Sequence, residues 1–133
     1  MQTVFVYGTL LRKLNNYHYI ENSVYKTEQG KVNGFLYNTG PYPAIVVDKN
    51  GMGVVGEWIQ VDDSAMSVLD WLEQYEQPGQ VNEYERVWVE DAEGEKEGWI
   101  YTYSLSQAER YPLIPSGSWR EHLLSSGGRR QGG

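Results

Sequence analysis

The sequence has 133 residues, enough for one domain around one core, and its 40% hydrophobic and 14% aromatic content excludes a disordered or collagen-like chain. A net charge of −7 argues against nucleic acid or an anionic membrane surface as partner. Cysteine is absent, which removes disulfides, thiol nucleophiles and thiolate metal sites and agrees with a reducing cytoplasmic location.

The chain opens on a strand. Residues 3–7 are β-branched or aromatic and stop at Gly8-Thr9-Leu10. A turn of this kind is either a sharp exit or a cradle. Gly8 lets backbone approach a ligand without a Cβ in the way, and N–H groups exposed at a strand end suit an anion. Residues 13–23 suggest short helical turns. Further strands are expected over 32–37, 44–48 and 54–61. Asp48-Lys49-Asn50-Gly51 reads as a hairpin turn, with Asn50-Gly51 supplying positive φ. Gly51, Gly53 and Gly56 match the spacing of a dinucleotide-binding loop, but VVGEWIQV follows, a strand where that motif needs a helix. The nucleotide reading is therefore rejected.

One helix is predicted over 64–76, with Asp62, Asp63 or Ser64 as N-cap and Pro78-Gly79 as the stop. Strands over 84–90 and 98–104 then flank a polar turn at 90–98, and 106–111 suggests another helical turn. On the first of these strands Tyr84 and Arg86 share a face, and on the second Tyr101 and Tyr103 do. No linker divides residues 1–124, and SSGGRRQGG at 125–133 reads as a flexible tail. Short strands around one main helix define an α+β class, a small mixed β-barrel. No signal peptide or membrane span is visible. His18 and His122 have no metal-ligand spacing around them, and no G-x-S-x-G stretch supports a serine triad.

The helix carries an unusual acid. At about 100° per residue from Ala65, Glu73 projects at about 80°, between Leu69 at about 40° and Met66 at about 100°. A carboxylate inside an apolar stripe must be hydrogen-bonded, paired or protonated. Glu76 also projects onto the apolar arc, in the helix's last turn. Asp70 falls towards the polar side. Two readings of Glu73 stay open on the pattern alone: a buried pair, with Arg86 as candidate partner, or a base whose pKa is raised by aromatic surroundings such as Trp71 and Tyr75.

Several segments together resemble the gamma-glutamylcyclotransferase-like family. Tyr7-Gly8-Thr9-Leu10 is similar to its substrate-binding loop, and GPYPAIV at 40–46 to its Pro-aromatic-Pro-Ala segment. Leu69-Asp70-Trp71-Leu72-Glu73 resembles its LDxxE helix, and Tyr84-Glu85-Arg86 its Tyr-x-Arg pair. WIYTY at 99–103 and IPSGSW at 114–119 fit its closing strand and C-terminal segment, so the likeness is colinear over 3–119. It extends to the smaller branch that includes gamma-glutamylamine cyclotransferases. The resemblance implies a barrel with a cavity, and release of 5-oxoproline from a small gamma-glutamyl amide. No cofactor or metal is implied. Glu73 is then the catalytic acid and base. Tyr7, Gly8, Thr9, Leu10, Tyr84, Arg86 and Tyr103 are then candidate substrate-binding residues. Arg86 has two open roles, holding a substrate carboxylate or pairing with an internal acid. Pro41, Tyr42 and Pro43 are expected at a rim. The alternative is a non-catalytic binding module with Glu73 as a structural acid.

Overall fold

In the computed structural model, residues 1–8, 11, 16–73 and 84–132 are described, with side chains described as far as 125. Strand β1 is Gln2–Val6, β2 is Val24–Asn38, β3 is Pro43–Val47, β4 is Met52–Val61, β5 is Glu85–Glu90 and β6 is Glu97–Thr102. Helix α1 is Ala65–Leu72, α2 is Leu105–Ala108 and α3 is Trp119–Gly132, with two 3₁₀ turns at Tyr17–Tyr19 and Glu21–Ser23. Among the described residues, no helix is long and apolar enough to cross a membrane.

The strands form one six-stranded mixed sheet in the order β3-β2-β4-β1-β6-β5. Every contact is antiparallel except β1 with β6, where Val4 lies opposite Trp99. The Tyr103 N–H donates to the Ile45 carbonyl at 2.9 Å, so the chain leaving β6 meets β3 from the far side of the sheet. The sheet is therefore curled into a half-barrel, which agrees with the predicted class.

Alternation along β1 splits the core into two. Val4 and Val6 join Ile59, Val61, Tyr101 and the α1 residues Ala65 and Leu69 on one face. Phe5 points the other way and packs edge-on against Trp58, with ring centroids 5.0 Å apart. Ile100, Ile114 and Trp119 complete that second cluster. Burial of aromatic and branched side chains on both faces is what holds a central strand such as β1.

Four elements differ from the sequence expectation. Strand β2 starts at Val24, eight residues before the predicted 32, because the mostly polar residues 24–31 pair along β4 from Val24↔Val61 to Lys31↔Val55, with a register shift between Val24 and Lys26. Their outward side chains are solvated, with Lys26 and Lys96 both paired to Glu28. The turn at 48–51 forms, with the Gly51 N–H donating to the Asp48 carbonyl at 2.8 Å. Gly51, however, is not among the positive-φ glycines, which are Gly40, Gly94 and Gly117. It is required for space: a Cβ there would lie 2.5 Å from the Gly34 carbonyl oxygen. Helix α1 ends at Leu72 rather than 76, and its expected continuation through Tyr75 and Glu76 to Pro78-Gly79 lies outside the described residues. Finally, α3 runs from Trp119 to Gly132, through the segment read as a tail, and its buried Trp119 closes the second core cluster.

Met52–Val61 is strand throughout, so the glycine triplet at 51, 53 and 56 opens no helix. The 90–98 turn joins β5 and β6 as a hairpin, closed by the Asp91 N–H on the Lys96 carbonyl at 2.7 Å. The 106–111 turn is realised as α2, capped by Ser104 and Gln107 in reciprocal side-chain bonds.

Candidate active site

Glu73 is the C-cap of α1, at φ −92° and ψ 4°. Its N–H closes the last helical turn on the Leu69 carbonyl at 3.0 Å, and its carbonyl accepts the Tyr84 N–H at 3.3 Å. The side chain is thus presented where α1 ends and β5 begins. Part of its surface reaches solvent, yet burial of the carboxyl pushes its pKa up from 4.5 to about 8. No ion pair to it occurs among the described residues.

Two phenols surround this acid electrostatically. Tyr7, at the end of β1, is buried, and its pKa is raised well above the ordinary value, first by burial and then by Glu73. Its hydroxyl donates to the Tyr101 carbonyl at 2.6 Å and accepts the Ile45 N–H at 3.3 Å. Tyr101 is held above its ordinary pKa by burial first, then by its bond to Asp70, with Glu73 adding to the effect. Both hydroxyls donate elsewhere, Tyr7 to a carbonyl and Tyr101 to Asp70 Oδ1 at 2.6 Å.

Gly8 follows Tyr7 and sits against the 41–43 segment. A Cβ on Gly8 would lie 2.7 Å from Pro43 Cγ, so only glycine lets the chain approach the proline ring this closely. The Gly8 carbonyl accepts the Leu11 N–H at 2.9 Å. Thr9 and Leu10, two predicted site residues, lie outside the described residues. Tyr84 donates its hydroxyl to the Pro43 carbonyl at 2.6 Å, and its ring lies 4.8 Å from Tyr103 and 6.0 Å from Tyr42. Thus Tyr7, Gly8, Tyr84, Tyr103 and the predicted rim converge on the ends of β1, β3 and β6, beside Glu73.

Arg86 has its ion pair with Asp70. Its Nη1 lies 3.0 Å from both Asp70 oxygens, and its guanidinium stacks 4.9 Å from the Trp99 ring. Of the two roles left open for Arg86, pairing with an internal acid has geometric support, and the acid is Asp70 rather than Glu73. Asp70, read from the wheel as an ordinary polar-face residue, is the group the sequence reading missed. No local signal marks it, because the register that sets Arg86 opposite Tyr101 comes from the pairing of β5 with β6.

The half-barrel thus carries, at the end of α1, a carboxyl with raised pKa and no ion pair among the described residues. Residues 4–121 match the family described as Gamma-glutamyl cyclotransferase, AIG2-like. The chain is 32% identical over 128 residues to Gamma-L-glutamyl-butirosin B gamma-glutamyl cyclotransferase of Niallia circulans, covering 93% of this chain and 79% of that protein. It is 33% identical over 117 residues to the gamma-glutamylcyclotransferase family protein ytfP of Citrobacter rodentium, covering 87% and 93%. The crystal structure of YkqA from Bacillus subtilis superposes with a TM-score of 0.69 at 28% identity, over 96% of this chain and 42% of that one. The chain belongs to the gamma-glutamylcyclotransferase family and is an enzyme of that type.

Proposed function

We propose that the protein releases 5-oxoproline from a gamma-glutamyl amide by attack of the substrate's own α-amine on its γ-carbonyl. The observation that carries this reading is the state of Glu73: a carboxyl at the end of α1, raised to about 8 by burial and without an ion pair among the described residues. A group near that value is matched to an amine, since it accepts the α-ammonium proton and returns it without a large uphill step.

The reaction needs little else. The α-amine forms a C–N bond to the carbon of the γ-carbonyl, the carbonyl oxygen takes up the charge, and the old C–N bond on that same carbon breaks as Glu73 returns the proton to the leaving amine. Holding the glutamyl chain folded supplies much of the acceleration, because amine and carbonyl then react within one molecule. The packed tyrosines Tyr7, Tyr84 and Tyr103 support that role as rigid walls. The turn at Gly8, Thr9 and Leu10 is assigned the oxyanion and α-carboxylate, on its sequence and on the tight seat of Gly8 against Pro43. The substrate is a small gamma-glutamyl molecule.

The test is incubation with a panel of gamma-glutamyl amides, including gamma-L-glutamyl-butirosin B, the compound in the name of the Niallia circulans relative. Release of 5-oxoproline with stoichiometric free amine is expected from at least one member. Release of glutamate instead would mean hydrolysis and would refute the intramolecular route.

A further inference from the structure

Asp70 and Glu73 are three residues apart, neighbours on one helical face. The Asp70 carboxylate gathers bonds from two other elements: Arg86 of β5, with Nη1 at 3.0 Å from each oxygen, and Tyr101 of β6, with its hydroxyl at 2.6 Å. Arg86 and Tyr101 face each other across the β5–β6 pair, so one carboxylate spans a cross-strand couple. The cluster is itself supported. Trp99 lies against the guanidinium, donates its indole N–H to Gln2 Oε1 at 3.3 Å, and meets Trp88 edge-on at 5.0 Å. The Asp70 and Arg86 side chains are only 24% and 23% exposed, so this is not a solvated surface pair.

Helix α1 has eight residues, too few for stability by itself, and Glu73 stands at its end, where helices fray. In the last turn Leu69 gives an apolar contact, Trp71 is exposed, and Asp70 adds a side-chain polar anchor to the backbone tie between Glu73 and Tyr84. We propose that Asp70 is a positioning residue for the reaction: its carboxylate pins the last turn of α1 to Arg86 and Tyr101, so that Glu73 keeps one orientation beside Tyr7. The inference rests on the reading of Glu73 as the acid and base. Among the described residues, the phenols of Tyr7, just after β1, and Tyr101, in β6, feel the Glu73 carboxyl, and the Glu73 carbonyl holds the Tyr84 N–H ahead of β5. The only described ion pair beside them is Asp70–Arg86, one negative and one positive charge held together.

The test follows the Glu73 carboxyl by ¹³C NMR titration in wild type, Asp70→Asn and Arg86→Gln, with circular dichroism as the check on folding. Loosening the helix end hydrates Glu73 and lowers its midpoint in both variants, by about 0.5 pH or more. A pair that leaves Glu73 in place gives a different result: removing the negative charge lowers the midpoint and removing the positive one raises it. A fall in both variants therefore supports the proposal, while opposite or absent displacements overturn it. Should Asp70→Asn fail to fold, Arg86→Gln decides alone by the direction of its displacement. On a gamma-glutamyl amide turned over by wild type, Asp70→Asn is expected to lose about 10- to 100-fold in kcat with KM little changed. An unchanged kcat in the folded variant overturns the positioning role. A wild-type protein inert on the whole panel sinks the proposed reaction instead, and the titration still decides the clamp.

Discussion

Replacing Glu73 by Gln has a consequence for stability as well as for turnover, and the two are linked by one proton. In the folded protein the carboxyl titrates at about 8, against an ordinary value of 4.5. Between those pH values the folded state keeps a proton that the unfolded chain has released, so stability falls as pH rises from about 4.5 and levels off above about 8. At about 1.4 kcal/mol per pH unit, the loss at pH 7 is about 3 kcal/mol. Glutamine has no proton to lose and fills nearly the same space. Relative to wild type, Glu73→Gln therefore gains little near pH 4.5 and about 3 kcal/mol at pH 7. Urea denaturation of both proteins at pH 4.5, 6, 7 and 8 measures this directly. Turnover in the same variant should drop by about 10²–10⁴, the usual worth of a general acid–base group. Parallel stability curves across this range would refute the assignment of a buried, protonation-prone carboxyl at position 73, whatever the kinetics.

Further outcomes follow from the same geometry. In wild type, kcat/KM should climb about tenfold per pH unit below an acid limb near pH 8, where free Glu73 ionises; a limb near 4.5 would mean a solvated acid. Tyr7→Phe removes the bonds to the Tyr101 carbonyl and the Ile45 N–H, and should cost about 1–3 kcal/mol in denaturant midpoints. Wild-type stability there would leave Tyr7 only a pocket role. Gly8→Ala drives a Cβ into Pro43 Cγ and should lower both the melting temperature and kcat/KM, by about 1–3 kcal/mol in stability. Trp119→Ala empties the second core cluster and should cost about 3–5 kcal/mol by urea unfolding, although residue 119 is far along the chain from the catalytic acid.

Much of this protein is legible in its sequence, because local signals and burial agree. The strands predicted over 3–7, 44–48 and 54–61 fall within a residue or two of β1, β3 and β4, where alternation and turn residues mark both ends. The wheel also put Glu73 on the inward side of its helix without any contact being known. Residues 24–31 hid their strand, since they are polar and only the register along β4 makes them one. Helix α3 was equally hidden, because SSGGRRQGG has no apolar stripe to announce it, while the one anchor that matters, Trp119, belongs to a core built from distant strands.

The choice of partner for Arg86 could not be read at all. Asp70 and Glu73 lie three residues apart on one short helix, so either carboxylate satisfies the local pattern. Which one meets the guanidinium depends on how α1 crosses β5 and β6, a matter of packing between segments far apart in the chain. Sequence by itself determined that Glu73 would project onto the apolar arc of its helix. Tertiary structure decided that Asp70 takes the arginine and Tyr101, leaving Glu73 buried without an ion pair among the described residues, because a cross-strand couple can be spanned by only one of two neighbouring carboxylates.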